Sequence, residues 1–409
     1  MRNANERQVY TPRRPDRIEV SGEHVRARWI AVILLIALAV GGFGLGLHRL
    51  LSRDGGWTEI EARKGSPGCA AEYRLLYELD GKNAAAEYRT ISALYTAACE
   101  RAALVYSEEE AEGVGNLFSV NRHPNEAVTV EPELYAALSE IAASGERSFY
   151  LAPLYDFYSG FFFSADAEEA AAYDPLADAE LAGFFADWAA LAADPAQLEL
   201  ELLGENRVRL HVSQDVLRFA KENGVERYVS LSWMKNAFIL DDLAEALRAQ
   251  GFTRASLQSV DGFAADLGGS GEPFSMELYD LSPSGLRRAA VLERPGPLCC
   301  VSLRSYSLRS AYGDWYAESE DGLPRSVYLD PRTGLPLTEQ REMLLWSSDR
   351  RCAELLLRGC PVFLSGEDPA ALRDPDIRFA RCDGGVLFCS DPEAAIVAPD
   401  PLYTLDIPS

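Results

Sequence analysis

The chain has 409 residues, 48% of them hydrophobic and 25% charged, with a formal net charge of −24. That length and apolar content provide one large or two ordinary domains with a substantial core. The acidity excludes a nucleic-acid binder, which needs basic surface to neutralise phosphates, and fits a well-solvated, self-repelling body.

The charge is uneven along the chain. The first 50 residues hold eight Arg against four acidic residues, giving +4 and leaving −28 for the remainder. Residues 29–48, WIAVILLIALAVGGFGLGLH, contain no Asp, Glu, Lys or Arg. A helix of that length matches the hydrocarbon thickness of a bilayer. Arg13, Arg14, Arg17, Arg26 and Arg28 precede it, so the tail of residues 1–28 is expected in the cytoplasm and the body outside. A cleaved signal peptide would have a shorter apolar region ending in small residues. Here His48, Arg49 and Arg53 follow, and the segment reads as an uncleaved anchor in a cell membrane. Gly42 and Gly46 form a GxxxG spacing that can pair anchors, although so Gly-rich a segment also yields it by chance.

Residues 49–68 read as a tether, 69–400 as the extracytoplasmic domain and 401–409 as a tail. Residues 72–81 alternate as a strand. A helix over 84–105 follows, with Ile91, Leu94, Tyr95, Ala98, Ala102 and Val105 at helical spacing. Residues 107–125 read as a loop, and 131–144 as a helix opened by Pro132. The aromatic run 149–163 reads as core, and the Ala-rich stretch 165–194 as one or two helices around Trp188. Strands are expected at 198–203, 207–212, 226–232 and 254–260, with helices at 214–223 and at 237–249, the latter closed by Gly251. Strands dominate 274–329, a helix covers 348–358 and ends at Gly359, and a hairpin spans 377–390. Elements mix without strict alternation, which indicates an α+β fold.

The eight Cys include no CxxC pair, and with only four His a thiolate–imidazole metal site is not expected. Cys382 and Cys389 flank Asp383-Gly384-Gly385, so a bridge across that hairpin is conceivable; mostly buried free thiols are the favoured alternative.

The densest group of special residues is Asp330-Pro331-Arg332-Thr333-Gly334, at the end of an apolar strand. Pro331 fixes φ, Asp330 and Thr333 bond nearby backbone, and Gly334 supplies a left-handed state. As physics alone this is a turn.

In element order, however, residues 73–398 resemble the FAD:protein FMN transferases of the ApbE family. That family carries His-x-x-Asp-Pro-x-Thr-Gly, read here from Val327 to Gly334 with Val327 in place of the His. Ser310-Ala311-Tyr312-Gly313-Asp314-Trp315 is similar to its Thr-Ser-Gly-Asp-Tyr segment, and Ser107 and Asn121 stand at matching places. In SSDRRCAELLLRG the family's Asp, Thr or Ala, and Gly fall on Asp349, Ala353 and Gly359. The resemblance implies FAD contacts at Asn121, Lys235, Gly313, Asp330, Thr333 and Gly334. It also implies Mg²⁺ held by Asp349 and the Ala353 carbonyl, because a hard cation takes oxygen ligands and bridges a pyrophosphate. Each also has a plainer reading: Asp349 as a helix-start acid, Lys235 as a surface cation, Asn121 as loop chemistry. The implied activity is transfer of FMN to a Thr of an acceptor flavoprotein.

Three departures stand against intact turnover. The family loop Asp-x-Gly-Gly-x-Ala-Lys-Gly reads VSLSWMKN at 229–236, keeping Lys235 but filling the glycine positions with Leu231, Ser232 and Asn236. Glycine there lets backbone approach phosphate. A second glycine pair reads Val260-Asp261-Gly262, and Tyr150 replaces an Asp. The alternative is therefore a non-catalytic descendant that binds a flavin nucleotide or a partner protein.

Overall fold

The computed structural model describes residues 55–63, 70–164, 167–269, 271–282, 285–306, 316–318, 323–372 and 374–407. The expected anchor, Cys69 and residues 310–315, including Gly313, lie outside the described residues. Among the described residues no helix is long and apolar enough to cross a membrane.

The strands are β1 (Gly56–Ile60), β2 (Tyr73–Leu79), β3 (Ala127–Thr129), β4 (Leu198–Gly204), β5 (Arg207–Val212), β6 (Ala255–Ser259), β7 (Phe263–Asp266), β8 (Pro273–Ser282) and β9 (Gly285–Pro295). They continue as β10 (Leu298–Arg304), β11 (Tyr316–Glu318), β12 (Pro324–Ser326), β13 (Glu342–Ser347), β14 (Arg378–Asp383), β15 (Val386–Cys389), β16 (Ala395–Val397) and β17 (Thr404–Asp406). The α-helices are α1 (Ala84–Val105), α2 (Leu117–Arg122), α3 (Pro132–Ser144), α4 (Ala152–Phe163), α5 (Ala167–Ala171), α6 (Ala179–Ala193), α7 (Gln214–Asn223), α8 (Lys235–Ala249) and α9 (Cys352–Ser365).

A nine-stranded sheet runs in the order β1-β2-β6-β7-β10-β13-β14-β15-β17, antiparallel except for the β15–β17 pair. Its period-2 alternation divides the side chains between two cores. From β10 and β13, Cys299, Val301, Leu303, Met343 and Leu345 enter the main core with the helices. Cys300, Leu344 and Trp346 point to the opposite face, where β8 and β9 bury Met276, Leu278 and Leu292 against them. This is an α+β fold, as the mixed element order implies.

Most elements lie where periodicity and turn chemistry place them. Helix α1 buries Ile91, Tyr95, Cys99, Ala102 and Val105 at intervals of three and four. Helix α7 opens on Ser213, whose hydroxyl accepts the Val216 N–H at 3.2 Å, and closes at Gly224 with φ +68°.

Four expectations change. Within the supposed tether, Gly56–Ile60 forms an edge strand paired with β2. The loop 107–125 contains α2, capped by Asn116. Residues 226–232 are not a strand, because their amides bond elsewhere: Tyr228 and Val229 donate to the Asn121 side chain at 2.8 and 3.0 Å, and Ser230 donates to the Phe149 carbonyl. Helix α9 starts later and ends later than 348–358. The Asp241 carboxylate caps it through the Cys352 and Ala353 amides at 3.0 and 2.9 Å, and Gly366 ends it at φ +71°. The cysteines follow the favoured alternative of free thiols, and Cys382 and Cys389 are not bridged. Cys382 faces Leu387 and Cys389 faces Ala380, and all seven described cysteines are free thiols, six of them buried.

Candidate functional site

A cleft of about 780 Å³ opens between α1, α4, the 227–236 segment, the 260–263 turn and the end of β10. Its walls combine aromatic faces with charge. Tyr155, Phe162, Trp233 and Tyr328 line it. Trp233 donates its indole N–H to the Tyr155 hydroxyl at 3.0 Å and meets Tyr328 edge-on at 5.0 Å.

Five carboxylates line the cleft, Glu72, Glu108, Glu109, Asp156 and Asp261, against three cations, Arg227, Lys235 and Arg304. Arg227 is committed to Glu108 and Asp156. Lys235 stands 4.0 Å from Glu72. Arg304 donates to the Ser302 hydroxyl at 2.8 Å and makes no ion pair among the described residues. Its Nε is buried without a hydrogen-bond partner there, an arrangement that costs free energy. Burial pushes the Asp261 carboxyl up to about 6, against the lowering effect of the Asn236 amide that donates to it at 2.8 Å. Asp156, though exposed at the cleft edge, is also raised to about 6, by desolvation that outweighs Arg227. At pH 7 both sit close to the range of general acid–base groups.

The loop that replaces the glycine-rich segment keeps one glycine-like feature. Ser232 adopts φ +40°, a left-handed state that costs a side-chain-bearing residue about 1–2 kcal/mol. Its amide is held by the Ser230 hydroxyl at 3.0 Å. Gly262 has φ +96°, and a Cβ there would stand 3.3 Å from Ser302 and 3.4 Å from the Arg304 guanidinium. The left-handed φ is what calls for glycine at this turn, which lies beside Arg304.

The residues singled out in the sequence divide into two sets. Lys235, Ser107, Val327 and Tyr328 line the cleft. Asn121 stands behind it: its buried amide clamps Tyr228 and Val229 and so fixes the wall that carries Arg227 and Ser230. Asp330, Thr333 and Gly334 are outside the lining and close a small hairpin. The Asp330 carboxylate accepts the Arg332 amide at 3.0 Å, the Asp330 carbonyl accepts the Gly334 amide at 2.7 Å, and Thr333 Oγ1 accepts the Leu335 amide at 3.2 Å. Gly334, at φ +74°, packs so tightly that a Cβ would meet the Phe185 carbonyl at 2.6 Å. The hairpin's work is to seat Val327 and Tyr328.

Asp349 and Ala353 do not converge on the cleft either. Asp349 is exposed before the helix, with its amide on the Ser347 hydroxyl. Ala353 is fully buried, and in the second position of α9 its carbonyl is a helix acceptor. Among the described residues, three potential ligands converge only at Asp241, Cys299 and Cys352, which are all buried outside the cleft lining.

Sequence reasoning missed Arg304, Asp156 and Arg227. Arg304 had a faint signal, a lone cation ending the apolar strand LCCVSLR; Asp156 and Arg227 had none, since their pairing spans 71 residues.

No family model matches the sequence, and no curated protein matches it either. Solved structures do. The flavin transferase ApbE from Vibrio cholerae is 15% identical, matched over 84% of this chain and 98% of that one with a TM-score of 0.55. The ApbE protein from Thermotoga maritima is 16% identical, matched over 80% and 94% with a TM-score of 0.55. The chain therefore has the fold of the ApbE flavin transferases.

Proposed function

We propose that this chain is a flavin transferase-like protein that binds FAD in the cleft and passes FMN, slowly, to a Thr of an acceptor flavoprotein. The observation that carries the reading is Arg304: its guanidinium, without an ion pair among the described residues, lines a cleft walled by aromatic side chains, which suits an anionic, planar ligand. Lys235 and Arg304 would meet phosphate, and the Tyr155, Trp233 and Tyr328 rings would flank the isoalloxazine or adenine. Bound FAD supplies the phosphoryl group that is transferred. Asp261 offers a carboxylate able to hold the acceptor hydroxyl's proton at neutral pH. Asp349 and Ala353 do not face this cleft and would not hold a metal ion at its phosphates. The excess of carboxylates over cations in the cleft nonetheless favours a ligand that arrives with a divalent cation.

A second reading, binding without turnover, is favoured by Val327, which presents no titratable atom to the cleft where the family signature has a His. One assay separates the two. The full chain is titrated with FAD, with and without Mg²⁺, then given a Thr-bearing acceptor and followed for covalent flavin and released AMP. Binding with slow transfer is expected. Binding without any transfer establishes the second reading, and absence of FAD binding in both conditions overturns both.

The same proposal places the body outside a membrane, behind an anchor at 29–48, on the strength of the Arg-rich tail. Protease added to intact cells should digest the body; a protected body refutes that placement.

A further inference from the structure

Cys299 and Cys352 stand apart from the other thiols. Strand alternation sends Cys299 into the main core and Cys300 to the opposite face. Cys352 is the first residue of α9, and its sulfur donates to the Ala264 carbonyl at 3.1 Å. The two sulfurs and an Asp241 carboxylate oxygen all lie within 4.8 Å of one another. Two chemistries could use such a pair, a soft metal or a disulfide. A metal would need both thiolates and a carboxylate buried together, plus a fourth ligand, and the Asp241 oxygens already serve the Cys352 and Ala353 amides. A disulfide is neutral and apolar, and suits a site where both cysteines are at most 6% exposed.

We propose that Cys299 and Cys352 form a disulfide that staples the start of α9 to β10. It is made during folding, before the site closes, by exchange with a small-molecule or protein disulfide. One thiolate attacks the oxidant's sulfur and releases a thiol; the second then attacks the mixed disulfide and releases the other. Two electrons and the two thiol protons leave on the reduced oxidant. The inference is independent of the flavin reading and requires only an oxidising compartment.

The test refolds the full chain in a glutathione redox buffer, alkylates free thiols under denaturing conditions and maps the peptides. The expected result is six alkylated cysteines of the eight and a peptide joining 299 to 352, lost on reduction. Cys300→Ser should keep the crosslink, while Cys352→Ala should free Cys299 and abolish the fall in Tm that reductant causes in the parent. Eight alkylated cysteines, a crosslink between other pairs, or a stoichiometric metal at the site would each overturn the proposal. The mapping of the parent chain decides the matter even where a variant fails to fold.

Discussion

At the scale of single residues, the cleft makes two opposed predictions. Arg304→Gln keeps a polar group beside Ser302 but removes the charge and the orphan Nε donor. Charge-assisted hydrogen bonds contribute about 1.5–3 kcal/mol, so FAD affinity should fall by about tenfold or more, read as Kd by flavin fluorescence. An unchanged Kd would remove Arg304 from the site. Val327→His runs the other way. It returns an imidazole to a half-buried position on the cleft wall, next to Tyr328. A positioned acid–base group contributes about 10²–10⁴-fold, so transfer should accelerate by at least tenfold with little change in Kd. No acceleration would mean that the missing imidazole is not what limits this chain. These two residues show what a sequence displays and what it hides. Val327 was legible as a gap in a motif. Arg304 was not, because its significance rests on a desolvated nitrogen and on its place in the wall of a cleft built from distant segments. Asp330 and Thr333 erred in the opposite direction: the motif was plain, but every hydrogen bond it makes closes its own hairpin.

At the scale of elements, the sequence located helices and strands well wherever a local rule decides them, as for α1 and α7. It failed where a distant side chain decides. Gly359 resembles a helix stop, yet it lies inside α9, where a Cβ would stand 2.1 Å from Leu345 Cδ1 on β13. The glycine is a packing residue between helix and sheet, not a cap. Gly359→Ala should therefore destabilise by about 1–3 kcal/mol through overpacking, despite alanine's better helix propensity. A denaturation midpoint at or above the parent's would restore the cap reading. The Arg325–Asp174 pair is a second long-range decision. Arg325, on β12 just before the hairpin, is 1% exposed, and its Nη2 lies 2.8 Å from an Asp174 carboxylate that is fully buried. Removing Asp174 strips the buried guanidinium of the carboxylate that its Nε and Nη2 reach. Asp174→Ala should cost about 3–5 kcal/mol, whereas pairing it with Arg325→Met should recover much of that loss. A double variant no more stable than the single one would refute the charge argument.

At the scale of the whole molecule, the acid balance sets the pH response. Desolvation raises the carboxyls of buried Asp241 and half-buried Glu342 to about 7, and those of Asp156, Asp242 and Asp261 to about 6. Desolvation is the largest cause in all five. In the unfolded chain such groups titrate near 4. Between pH 4 and pH 7 the folded protein thus holds more protons than the unfolded one, and stability falls as pH rises through that window. The net charge of −24 acts in the same sense, since raising pH adds self-repulsion to the compact state. The domain should have a higher urea midpoint near pH 5 than near pH 8, the reverse of a protein whose carboxylates are held low by salt bridges. Asp241→Asn separates the two contributions. It keeps one oxygen for the α9 amides while removing the titrating group, so it should flatten the curve between pH 6 and pH 8 and leave the remaining slope to the other four. A midpoint that rises with pH across this window would show that these carboxyls are ionised in the fold, and that the cleft is more strongly anionic at neutral pH than a flavin phosphate could tolerate without a cation.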